Sequence, residues 1–170
     1  STNAAYGLGT TTIDNYAATG FKLGKSKQEG KFTSKAVGVS GDKYLNFYAA
    51  SWKGSSNVAL YYRVDGGEVK SVALTPNDGV TGNAPYPITF AESDHYSVLL
   101  TGLTANSTIE FGTNANFALT NTYSGSAPDV APRVIVCGVK LTDEPLGNEG
   151  GTTETPDPED PEEPETPEGV

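Results

Sequence analysis

The sequence predicts an all-β domain, an antiparallel β-sandwich or jelly roll, followed by a disordered acidic, Pro-rich C-terminal tail. Three observations carry this. Residues 1–142 alternate short runs rich in β-branched and aromatic residues with clusters of Gly, Asn, Asp and Ser, the pattern of strands and turns. No window of a dozen residues shows an apolar period of 3.6, so no amphipathic helix is expected. The 28 residues from Asp143 to Val170 hold six prolines, eleven carboxylates and no Lys or Arg. With Leu146 and Val170 as its only large apolar groups, that segment lacks the apolar surface to offset its ordering entropy.

Nine strands are expected, at 20–26, 31–39, 43–52, 57–64, 68–75, 86–91, 95–101, 106–112 and 133–141, a spacing that suits two packed sheets. In the run Gly20-Phe-Lys-Leu-Gly-Lys-Ser26, Phe21 and Leu23 alternate with Lys22. Its glycines are one residue too close for a phosphate loop, so it reads as an edge strand with lysines that discourage edge pairing. The clearest strand is Lys43–Trp52, where Leu45, Phe47 and Ala49 share one face and Tyr44, Asn46, Tyr48, Ala50 and Trp52 the other. The first face is assigned to the core. Asp65-Gly66-Gly67 tolerates positive φ and joins 57–64 to 68–75 as a hairpin. Gly102 and Asn106 similarly punctuate a second hairpin between 95–101 and 106–112. The stretch 113–132 is polar, turn-rich and too long for a tight connection.

The domain boundary falls after Thr142: residues 1–142 form the sandwich and 143–170 an acidic linker, stiffened by its proline spacing and like charges. The chain has 21 acidic and 11 basic residues. Eleven of the acids lie in the linker, so the domain itself is close to neutral, and the total charge supports neither nucleic-acid binding nor an acidic ligand trap. No apolar run reaches the roughly 18 residues needed to cross a bilayer, and no leader pattern opens the chain. The expectation is therefore no nucleic acid and no membrane insertion, in a cytosolic protein or a mature or excised fragment. One cysteine (Cys137) and one histidine (His95) supply neither a disulfide nor a structural zinc site.

Catalytic constellations find little support. His95 adjoins Asp94, but neighbours on a strand point to opposite faces, and no nucleophile elbow exists. Cys137 lies in a Val-rich strand, where a small buried hydrophobe is the ordinary role. Of the ten acids of the domain, Asp42, Asp65 and Asp78 sit in Gly turns and Glu29, Glu68 and Asp94 at strand edges, and nothing nominates a glycosidase pair. The expectation is no enzyme and no cofactor. The feature above background is aromatic placement. Tyr44, Tyr48 and Trp52 share the non-core face of one strand, and Tyr61 and Arg63 share a face of the next. Rings of this kind, if open, stack on sugar C–H groups, while Arg63 reaches hydroxyls or acidic groups. A second layer or a covering loop would instead make the same rings ordinary core.

The runs Lys43–Trp52, Val69–Leu74, Tyr96–Phe111 and Arg133–Leu141 resemble jelly-roll accessory domains of secreted Bacteroidetes surface proteins, which are similar to carbohydrate-binding β-sandwich modules. The resemblance covers about residues 20–142. It implies a non-catalytic module of a secreted or cell-surface multidomain protein, with a glycan or other surface ligand at Tyr44, Tyr48, Trp52, Tyr61 and Arg63, and neighbouring domains of the same chain as partners. The alternative is a structural spacer that positions a neighbouring catalytic or OB-fold domain. Related modules often carry a calcium-ligating acid in the last strand. Val136-Cys137-Gly138-Val139 has none, which puts such a site in doubt.

Overall fold

The computed structural model describes residues 5–13, 16–52, 59–74, 90–149 and 152–153. The described strands are β1 (Ala5–Ile13), β2 (Tyr16–Leu23), β3 (Lys31–Thr33), β4 (Gly41–Ser51), β5 (Ala59–Val64), β6 (Lys70–Ala73), β7 (His95–Leu103), β8 (Ile109–Gly112), β9 (Val134–Thr142), β10 (Asn148–Glu149) and β11 (Thr152–Thr153). They form one sheet of order β1-β2-β9-β4-β7-β10 and a second of order β11-β6-β5-β8-β3. Only β10 with β7 is parallel among the described pairs. The chain is an all-β sandwich, as its strand and turn pattern predicts.

The core lies between the sheets. Leu45, Phe47 and Ala49 of β4 and Val134 and Val136 of β9 meet Leu60 and Tyr62 of β5 and Ile109 and Phe111 of β8. The inward face of β4 is therefore the one its alternation predicts. Fully burying such a side chain contributes about 1.5–3 kcal/mol. The hairpin at residues 65–67 also forms: β5 pairs with β6, and Asp65 and Gly66 both adopt positive φ, as a tight turn between right-twisted strands requires.

Two expectations change. The second hairpin does not exist, because β7 belongs to the first sheet and β8 to the second. The turn at residues 104–108, closed by Ser107 N to Thr104 O at 2.9 Å, carries the chain across the sandwich. The strand expected at 20–26 is not an edge: β2 lies between β1 and β9, and sequence reading missed β1 because Ala, Gly and Thr give its residues little apolar alternation. The strand expected at 86–91 falls mostly outside the described residues, and Phe90 and Ala91 are not extended into one.

Beyond Thr142 the chain stays against the sandwich. After β9, residues 143–147 cross the outer face of the first sheet, β10 then pairs along β7, and β11 pairs along β6. This strap reaches both sheets. Residues 154–170 lie outside the described residues.

Asn46 anchors the strap. Its side chain is fully buried. The amide nitrogen donates to Thr142 Oγ1 at 2.7 Å and Lys140 O at 3.2 Å. The amide oxygen accepts from Ser97 Oγ at 2.5 Å and from the Leu146 N–H at 3.0 Å. Ser97 Oγ in turn accepts the Gly147 N–H at 2.7 Å. Asn46, on the non-core face of β4, is the knot that ties the strap to two strands. Gly147 is required there: a Cβ would come within 2.8 Å of the His95 ring.

Candidate functional site

The five residues expected to form one aromatic platform do not come together. Tyr44, Tyr48 and Trp52 lie on the outer side of the first sheet, opposite the core-facing Leu45, Phe47 and Ala49. Tyr61 and Arg63 alternate with the core-facing Leu60 and Tyr62 of β5, so they lie on the outer side of the second sheet, with the core between the two sets. Register made them look adjacent, because successive strands of a sandwich need not share a sheet.

Members of each set are also covered. Trp52 is 9% exposed and packs with Ala50, Phe90, Ile135 and Cys137. The Lys22 ammonium sits 4.3 Å above its ring; burial, and then repulsion by Arg133, lower the Lys22 pKa. Tyr48 stacks flat on His95 with centroids 4.0 Å apart and meets Phe90 at 5.6 Å. His95 is thus half-buried in a ring stack, where burial and then Lys140 lower its pKa. Tyr44 donates to Glu149 at 3.4 Å, and that carboxylate holds its hydroxyl pKa above the usual value.

On the opposite face, Arg63 Nε donates to Glu110 at 2.6 Å, and its guanidinium lies 4.1 Å from the Phe117 ring centroid. Lys31 approaches the other Glu110 oxygen at 3.4 Å. Phe117, itself 3% exposed, comes from the 113–132 stretch and seals that side. The stretch is held by Glu29, a buried carboxylate that accepts from Asn114 Nδ2 and from the Tyr123 hydroxyl, each at 3.2 Å. Glu29 is therefore an organiser of this loop, where a solvated strand-edge acid was expected.

The Asp94 carboxylate accepts the Ala91 N–H at 3.0 Å. Among the described residues, no group of three or more His, Cys, Asp or Glu side chains is placed to hold a metal ion.

An open concavity lies elsewhere, at the margin where β2 and β9 face β3 and β8. A groove of about 600 Å³ runs there between the sheets. Phe21 and Phe32, one from each sheet, stack with centroids 4.6 Å apart and ring planes 23° from parallel, and both stay half-exposed. Leu45 and Phe111 form the floor, while Val37, Lys35 and Val139 form the lips.

Two local irregularities open it. In β9, register with β4 jumps from Asn46↔Lys140 to Tyr48↔Cys137, so Gly138 and Val139 together oppose one residue, and a bulged strand bends away. In the second sheet, β3 stops after three residues. The chain continues as a looser rail, held by Val37 N to Ser107 O and Gly38 N to Ala105 O, both at 2.9 Å. Among the described residues, no carboxylate lines the groove.

Sequence reading had assigned Phe21 and Phe32 to strands but not to a site. Their pairing depends on which strands of opposite sheets lie face to face, and no local pattern reports that.

No protein-family model and no curated protein matches the chain. Among solved structures, the chain is similar to a structure of TmCBM61, a carbohydrate-binding module, in complex with beta-1,4-galactotriose. The identity is 14%, over 76% of this chain and 72% of that one, with a TM-score of 0.32.

Proposed function

We propose that this chain is a non-catalytic β-sandwich module of a secreted or cell-surface multidomain protein, and that it binds carbohydrate in the groove between β2–β9 and β3–β8. The observation that supports this reading is the pair of half-exposed, stacked phenylalanine rings at the mouth of an open groove. Apolar sugar faces pack on aromatic rings, and a lysine at the lip supplies a hydroxyl donor. Here Phe21 and Phe32 present the ring surface and Lys35 the donor. The reading moves the glycan from the covered platform to this margin and leaves Tyr44, Tyr48, Trp52, Tyr61 and Arg63 in structural roles.

The test is a polysaccharide and oligosaccharide binding screen, followed by calorimetric titration of wild type, Phe32→Ala and Val139→Asp. Loss of about 2 kcal/mol of affinity on Phe32→Ala, the scale of an aromatic anchor, supports the groove. Binding that survives both substitutions removes it.

A second reading is favoured by the covered aromatic faces and by the strap that binds both sheets: a spacer that holds neighbouring domains at a set distance. A module of this kind binds no glycan in the screen, and its variants alter only the activity of the joined domains.

A further inference from the structure

The groove between β2–β9 and β3–β8 also suits a segment of this chain. Its floor is apolar, and its stacked Phe21 and Phe32 rings stay half-exposed. Lys35, exposed on the rail, and Lys140, exposed on the first sheet, border it, and no carboxylate lines it among the described residues. Aromatic-lined grooves take polyproline II segments, because proline rings pack on aromatic faces and the segment's conformation is set before it binds.

Such a segment follows the sandwich in the same chain. Pro158, Pro161, Pro164 and Pro167 recur every third residue. Polyproline II has three residues per turn, so these four rings fall along one edge. Eight carboxylates lie from Glu154 to Glu168, with no Lys or Arg among them. A lip that carries lysines selects this acidic segment over a basic proline-rich one.

Topology aims the segment at the groove. β11 runs antiparallel to β6, with Thr152 against Ser71 and Thr153 against Lys70, so it points toward the turn at residues 65–67. That turn touches the base of the rail. The Asp65 N–H donates to Thr108 O at 3.0 Å, and the flanking Ser107 and Ile109 carbonyls accept from the Val37 N–H at 2.9 Å and the Ser34 N–H at 2.8 Å. β11 therefore points to the end of the sandwich where the rail borders the groove. Four strand spacings separate β11 from β3, about 19 Å in all. Pro161 lies eight residues beyond Thr153, ~25 Å in polyproline II geometry, which spans that distance.

We propose that residues 161–167 dock in the groove of their own chain, with proline rings on Phe21 and Phe32 and the intervening carboxylates at the lysine-bearing lip. The docking does not depend on the carbohydrate reading. Where the groove also takes a glycan, the segment competes for it and acts as a built-in inhibitor. The tether supplies an effective concentration on the order of millimolar, so a millimolar affinity leaves the groove about half occupied. At that occupancy the contact adds RT ln 2, ~0.4 kcal/mol, to folding stability.

The experiment compares amide chemical shifts of the full chain with those of two full-length variants. One carries Pro161→Ala, Pro164→Ala and Pro167→Ala, the other Glu162→Gln, Glu163→Gln and Glu165→Gln, and neither changes a residue of the two sheets. The expected result is that the Phe32, Lys35 and Val139 amides move in both variants toward one common, released position. Wild type moves toward the same position as salt is raised to ~1 M, where screening acts within about 3 Å, and its shifts do not depend on protein concentration. The proposal is overturned if the variants leave these amides where wild type has them, or if salt moves them equally in wild type and the proline variant. Shifts that grow with protein concentration overturn it as well, since they place the segment in the groove of a second copy. The expected shifts in a chain that binds no carbohydrate support the docking and remove only the glycan reading.

Discussion

Two aromatic clusters of this sandwich have similar composition and opposite fates. At one end of the first sheet, Tyr48, Trp52, Phe90 and His95 stack into a sealed layer beneath Lys22 and beside the strap. At the margin between the sheets, Phe21 and Phe32 stack in the open. The rings themselves do not differ in a way that decides this. Coverage does: the first cluster lies beneath segments that arrive from distant parts of the chain, and the second lies where a bulge and a short strand spread the sheets apart. An aromatic stripe in a β-protein is therefore neither core nor platform until its neighbours in the fold are known.

The sharpest way to break this contrast is to truncate one ring on each side. Trp52→Ala is expected to cost about 3–5 kcal/mol through lost burial and a residual cavity. Phe32→Ala, half-exposed and in one stacked pair, is expected to cost about 1 kcal/mol. Denaturant titrations of both variants check the order, and equal losses would mean that the groove is packed as tightly as the sealed cluster.

Asn46→Ala sharpens the account of what does the sealing. It leaves Ser97 and the Leu146 N–H without their shared acceptor and is expected to cost about 2–3 kcal/mol. A change below about 0.5 kcal/mol, the range for substitutions away from packed features, would show that the strap needs no such knot. Truncation gives the next smaller effect. Removing residues 143–170 loses the two N–H donors that meet Asn46 and Ser97, about 1 kcal/mol each, whereas removing 154–170 is expected to stay within about 0.5 kcal/mol. Melting curves of the two truncations separate the strap from the linker.

The smallest effect is a pH dependence. Burial and Lys140 lower the His95 pKa below its usual 6.5, with Glu92 opposing. The folded state therefore resists a proton that the unfolded chain accepts. The stability is fully present above the ordinary histidine range and declines as pH falls through it. His95→Phe keeps a ring against Tyr48, and the difference between wild type and this variant, measured from pH 8 to about pH 5, should fade as the pH falls. A constant difference would mean that His95 does not titrate in the ring stack.

Much of the fold was legible locally. The period-two alternation of Lys43–Trp52 identified Leu45, Phe47 and Ala49 as core, and Asp65-Gly66 identified the hairpin, because both signals reside in a few adjacent residues. The acidic, proline-rich composition of residues 143–170 did not report that residues 143–149 lie against the first sheet. Residues 143–149 are held by polar contacts, among them the Leu146 N–H on Asn46 and the Asn148 amide on the Glu92 and His95 carbonyls, and none of these contributes to an apolar pattern. The candidate site was the least legible part. Phe21 and Phe32 come from different sheets, and Tyr61 and Arg63 were set beside Trp52 on the assumption that successive strands are neighbours.

The sequence by itself determined the class of the molecule, its inward residues and its turns, since steric preference and hydrophobic alternation act between near neighbours. The tertiary structure alone decided which rings meet water, which buried polar groups find partners, and where the sheets part. Those outcomes depend on contacts such as Asn46 with Leu146 or Phe21 with Phe32, and the geometry of a distant contact is set by how the sheets stack and where the chain crosses them.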